Sequence, residues 1–136
     1  MVEIENASVV TDLFGHWPNF HDAVVHTLAF RTWRSGPAAL DAALWVGAYV
    51  GPADAPSDVW TACNLVLRFV DVAGVDLAGF GPQNILDELR IEAVPDGLDD
   101  LRRPIAVTFE PSVGGGLRLR CASVAVRAVH SHRRAT

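Results

Sequence analysis

The chain has no lysine, so every fixed side-chain positive charge is a guanidinium: eleven arginines face sixteen acids for a formal charge of −5. An acidic chain of this kind is a poor non-specific binder of nucleic acid. There are only two cysteines, Cys63 and Cys121, which excludes a disulfide-dense scaffold. Both lie in apolar, strand-like runs and read as small core residues in a reducing compartment, with a disulfide between them left open. No apolar run approaches the roughly 18–20 residues of a membrane span. Met1 to Asn6 lacks the basic and apolar regions of a secretory signal, so a cytoplasmic protein is expected. Repeats are absent, and no linker is long enough to divide 136 residues. One domain over 1–130 with a polar tail over 131–136 follows.

What is present is unevenly distributed. Residues 1–70 carry a net charge of −4, residues 71–100 carry −7, and residues 101–136 carry +6. Half of the chain is hydrophobic, enough to build a core. The densest stretch is Phe14-Gly15-His16-Trp17-Pro18-Asn19-Phe20-His21-Asp22. Gly15 and Pro18 break helical continuation there. Burying Trp17 and Phe20 contributes about 1.5–3 kcal/mol each, enough to fasten an irregular corner onto a sheet.

Before that corner, Asn6 or Ser8 is placed to cap a short helix through Phe14, with Val9, Val10, Leu13 and Phe14 on one stripe. After it, alternation predicts strands over Ala23 to Trp33, Leu40 to Val50 and Trp60 to Val72. A short strand at Val75 to Leu77 follows, then Leu86 to Val94, Ile105 to Pro111, and the last strands from Leu117. Leu40 to Val50 is apolar on both faces, which places it centrally or beneath another element. A change of phase near Ala122-Ser123 predicts a β-bulge or bend. Gly114-Gly115-Gly116 reads as a flexible hairpin, since no Lys-Ser/Thr follows to make a phosphate cradle. The expectation is an α+β fold, predominantly antiparallel β, of about seven strands in a sandwich or strongly curved sheet with a short N-terminal helix.

His21-Asp22 is the one pair that suggests an enzyme. A small metal-dependent hydrolase using these residues needs further converging ligands. His26 shares strand parity with Asp22 rather than His21, and His130 and His132 lie near the C-terminal tail. No serine sits in a nucleophile elbow. The pair is therefore read as architecture, with no catalytic residue, metal ligand or cofactor assigned. The acidic middle, including Asp87, Glu88, Glu92, Asp96, Asp99 and Asp100, suggests a negative surface that steers a basic partner. A homodimer face at Trp33, Trp45 or Trp60 is a further reading, leaving monomer and homodimer both open.

The run Leu13 to Ala23 resembles the opening signature of the immunity protein 50 family, small bacterial proteins found near polymorphic toxin systems, in its FG-x-WP-x-FHDA pattern. The matching positions are Phe14, Gly15, Trp17, Pro18, Phe20, His21 and Asp22. A later stretch is similar to a second family-like pattern, GF-x-x-QN-x-I, at Gly79, Phe80, Gln83 and Asn84. The resemblance implies a non-enzymatic protein that binds and neutralises a cognate toxin. It also implies that the matched residues are mainly structural.

Overall fold

In the computed structural model, which describes residues 2–94 and 102–131, a helix and nine strands follow one another. The elements are β1 (Ile4–Glu5), α1 (Ser8–Phe14), β2 (Val24–Arg31), β3 (Ala39–Tyr49), β4 (Trp60–Val70) and β5 (Ala73–Ala78), then β6 (Ile85–Ala93), β7 (Ile105–Val113), β8 (Gly116–Cys121) and β9 (Ser123–Ser131). The strands form one sheet in the order β1-β9-β4-β3-β2-β6-β7-β8-β5. Every ladder is antiparallel except the short parallel pairing of β1 with β9.

The sheet is curled back on itself. β4 and β7 are four strands apart in the order, which in a flat sheet means roughly 19 Å. Yet Phe69 of β4 meets Phe109 of β7 edge to face, with ring centroids 6.0 Å apart. Inward residues of both halves, among them Leu40, Leu44, Leu67, Leu86 and Val107, share one buried cluster. The fold happens where β2 meets β6, a junction with a single register pair, Val24 with Ile85.

Three expectations need correction. About seven strands become nine: β1 was missed, and β8 and β9 are distinct. Of the two readings of the phase change at Ala122-Ser123, a bend at Ala122 holds and a bulge within one strand does not. The chain leaves β8 at Cys121 and enters β9 at Ser123 in the other half of the sheet, so the inward face is set anew. Finally, neither Asn6 nor Ser8 caps α1; the N-cap is Ala7, with no side-chain hydrogen bond. Asn6 takes a left-handed φ of 61° and donates to the Val126 carbonyl at 3.4 Å. Along α1, Val10 and Phe14 are buried, whereas Val9 faces solvent. Cys63 and Cys121 are free and buried. Burial pushes their thiols up to about 11 and about 12 respectively.

β3 and β4 run side by side through the centre in unbroken register from Ala39 with Val70 to Tyr49 with Trp60. The inward row Leu40, Ala42, Leu44 and Val46 is fully buried. On the opposite face Asp41 stands across from Arg68 and beside β2. Its carboxylate accepts from Arg68 Nε at 2.7 Å, Arg68 Nη2 at 2.9 Å and Arg31 Nε at 2.6 Å. Chiefly through the Arg68 hydrogen bonds, and also through Arg31, the Asp41 carboxyl is held below the ordinary carboxylate range.

A braced corner and an aromatic groove

The corner after α1 is fixed by main-chain contacts more than by its polar side chains. Gly15 ends the helix at φ 79°, where its N–H donates to the Thr11 carbonyl at 2.7 Å. A side chain at Gly15 would begin 3.0 Å from the backbone of Gly51, so glycine is required by close approach as well as by φ. The Gly51 N–H donates to the Phe14 carbonyl at 2.8 Å, and His16 Nδ1 donates to the Gly51 carbonyl at 2.7 Å. Phe14, Pro18 and Phe20 are buried, and Trp17 packs on Phe20 at 5.5 Å.

Phe20 and Asp22 both adopt left-handed backbone, φ 65° and 64°. Such a conformation is costly for a bulky side chain, roughly 1–2 kcal/mol, and persists only where the surroundings impose it. Here burial holds Phe20. The Ala23 N–H donates to the Phe20 carbonyl at 3.0 Å, and the Asp22 N–H donates to Leu86 at 2.9 Å. The two turns press Phe20 inward and push His21 and Asp22 outward, where their side chains are 58% and 73% exposed.

A bulge in β6 supplies the partner for His21. Pro111 of β7 stands opposite Leu86 and has no N–H to give the ladder. The register then skips Asp87, so that Glu88 pairs with Glu110. The Asp87 carbonyl, free of the ladder pairing, accepts from His21 Nδ1 at 3.0 Å. Asp87 Oδ1 lies 3.4 Å from the same nitrogen, and Asp22 Oδ2 lies 3.7 Å from Nε2. The hydrogen bond to the Asp87 carbonyl, then the Asp22 charge, raises the His21 pKa above its ordinary 6.5. The imidazole stands in open solvent, without the water-excluded surroundings that make a dyad catalytically strong. Among the described residues no group of three or more His, Cys, Asp and Glu is placed to hold a metal ion.

The second motif builds a different brace. Asn84 Oδ1 accepts from the N–H groups of Gly81 at 3.0 Å and Gly115 at 3.1 Å, while Nδ2 donates to the Gly81 carbonyl at 2.8 Å. Phe80 lies flat on Gly115, where an added Cβ would sit 2.3 Å from the ring. Gly114 has φ 80° and leaves no room for a Cβ beside the Gln83 carbonyl. The triglycine is therefore a close-packed seat for Phe80 and Asn84, correcting its reading as a merely flexible hairpin. The first motif is tied to β6 just after the second: the Asp22 N–H donates to the Leu86 carbonyl at 2.9 Å and the Leu86 N–H to the Ala23 carbonyl at 2.8 Å. The Val25 N–H of β2 donates to the Asn84 carbonyl at 2.8 Å. Gly79 turns the chain at φ 82°, and Gln83 is exposed.

Among the described residues the acids of the middle segment have different neighbours. Glu88, Glu92 and Glu110 surround Arg90, with Glu92 and Glu110 both at 3.5 Å. Asp71 pairs with Arg103 at 3.0 Å, and Asp76 stands opposite Arg118. Asp87 belongs with His21. Asp96, Asp99 and Asp100 lie outside the described residues.

What the sequence reading missed is a groove of about 600 Å³ beside the corner, lined by Trp17, Pro18, Trp45, Tyr49 and Trp60 with His21 and Asp22 at its rim. Trp60 lies over Gly47, whose added Cβ would meet the indole at 2.1 Å, and Trp45 and Trp60 pack in a tilted pair, ring centroids 5.7 Å apart at 44°. A glycine set two residues from both Trp45 and Tyr49, on the same face of the strand, is the signal that could have found it.

The immunity protein 50 family model matches residues 6–132, nearly the whole chain. This chain belongs to the immunity protein 50 family. The corner and the Asn84 brace both fall within the matched span. No matching curated protein and no matching solved structure was found. No helix among the described residues is long and apolar enough to cross a membrane.

Proposed function

We propose that this immunity-family protein acts by binding a cognate toxin, through protein–protein contact and without catalysis of its own. The observation that carries the reading is family membership over residues 6–132. The surface geometry supports it: Tyr49, Val59 and Trp60, neighbours at one end of the β3–β4 pair, are each more than half exposed, an apolar patch of the kind that marks contact sites. His21 and Asp22 then act as parts of a surface. The matched residues Phe14, Gly15, Pro18, Phe20, Phe80 and Asn84 hold that surface in shape.

Co-expression with the toxin-like protein encoded beside it tests the proposal. Growth rescue together with a co-purifying complex is the expected result, and His21→Ala should still rescue if no reaction depends on the imidazole. Rescue lost in His21→Ala while the complex still forms would instead favour the hydrolase reading. Rescue without a complex would overturn neutralisation by binding.

A further inference from the structure

We infer that the aromatic groove accepts an arginine side chain from the surface of the partner protein. It is lined by Trp17, Trp45, Tyr49 and Trp60, and the absence of a side chain at Gly47 lets the Trp60 indole lie over β3. Indole rings attract a planar cation through their negative faces, and a guanidinium matches them better than an ammonium because it is flat and weakly hydrated. At the rim stands the Asp22 carboxylate, 73% exposed and forced outward by its left-handed backbone. It offers the two oxygens that a guanidinium fork engages.

Charge complementarity distinguishes this groove from the other polar hollow of the surface. The hollow between β5, β7 and β8 contains Asp76 and Glu110 but also Arg90 and Arg118, so its charges balance. The groove is lined by Asp22 and by no arginine. Its imidazoles, His16 and His21, are turned through Nδ1 onto the Gly51 and Asp87 carbonyls, and His21 Nε2 lies 3.7 Å from Asp22 Oδ2. The loop that forms one wall, through Ala53 and Pro56, also bears the exposed Asp54 and Asp58. Asp87 adds a further carboxylate on the far side of the His21 ring. Four carboxylates, Asp22, Asp54, Asp58 and Asp87, stand around a slot whose only titratable bases are two imidazoles, so its acidic margin fits a basic side chain.

The identity of the partner rests on the toxin-binding reading, whereas the chemistry of the groove is testable alone. The probe is acetyl-Gly-Arg-Gly-amide, titrated into ¹⁵N-labelled full-length protein while the tryptophan indole N–H resonances are followed. Saturable shifts of the Trp45 and Trp60 indoles are expected. The citrulline analogue, equal in shape but uncharged, should bind about 2- to 5-fold more weakly, the factor that an exposed cation–π contact supplies. Asp22→Asn should weaken binding and flatten its salt dependence. Tyr49→Ala, an exposed wall position, should also weaken it, and provides a second variant should Trp60→Ala perturb β4.

Equal binding of the citrulline peptide, or shifts that bypass these indoles, would overturn the inference. The two proposals fail separately. A toxin neutralised equally well by Asp22→Asn and Tyr49→Ala protein refutes the groove and leaves immunity standing. Selective binding of the arginine peptide with no toxin rescued supports the groove and refutes the immunity reading.

Discussion

Replacing Asp41 by asparagine removes the one buried acid of the described residues while keeping its shape. The carboxylate side chain is 9% exposed and Arg68 is 23% exposed, so their pairing is well shielded from water. Arg31 is 52% exposed, and its share falls toward the ~0.2–1 kcal/mol of surface pairs. A hydrogen bond to a charged group is worth about 1.5–3 kcal/mol, and asparagine retains one acceptor for Arg68. The net loss should be about 2–3 kcal/mol, or ~6–12 °C in Tm for a chain of this size. Because folding lowers the Asp41 pKa, its contribution is fully present above the unfolded value of about 3.9. It is lost as pH falls through the lower folded value. Urea melts followed by tryptophan fluorescence should therefore show wild type losing its advantage over Asp41→Asn as pH falls below about 4. A variant within ~0.5 kcal/mol of wild type at neutral pH, or a difference that does not shrink in acid, would refute the reasoning.

Gly115→Ala should destabilise by about 1–3 kcal/mol because the Phe80 ring must move, whereas Gly81→Ala, with open space around it, should stay within ~0.5 kcal/mol; equal effects in chemical denaturation would contradict this. In an NMR titration the His21 imidazole should have its midpoint above 6.5, and Asp22→Asn should lower it. With the folded pKa raised, any stabilisation from protonated His21 is present below the unfolded value and fades as pH rises through the folded one. Cys63 and Cys121 should resist Ellman's reagent at pH 8 until urea unfolds the chain, since buried thiols with raised pKa values hold little thiolate. Prompt native labelling of either would count against that burial.

Local pattern made much of this protein legible. The alternation in Leu40 to Val50 and Trp60 to Val72 marks β3 and β4 to within a residue or two, because a strand buried on one face shows period two in its own sequence. The FG-x-WP-x-FHDA run marked the family, since residues close in sequence formed the pattern. The bulge at Asp87 was not legible, because it arises from Pro111, more than twenty residues away, standing opposite Leu86. Nor was the charge cluster at Asp41, whose two arginines come from neighbouring strands.

By itself, then, the sequence determined most of the strand segments, where the chain turns, and which family signature it bears. Those properties depend on neighbours within a few residues. Tertiary structure alone decided that the sheet curls until Phe69 meets Phe109, that two left-handed residues turn His21 and Asp22 outward, and that Trp17, Trp45, Tyr49 and Trp60 line one groove. Each of these depends on which distant strands pair and in what register, and strand pairing joins residues that no local pattern connects.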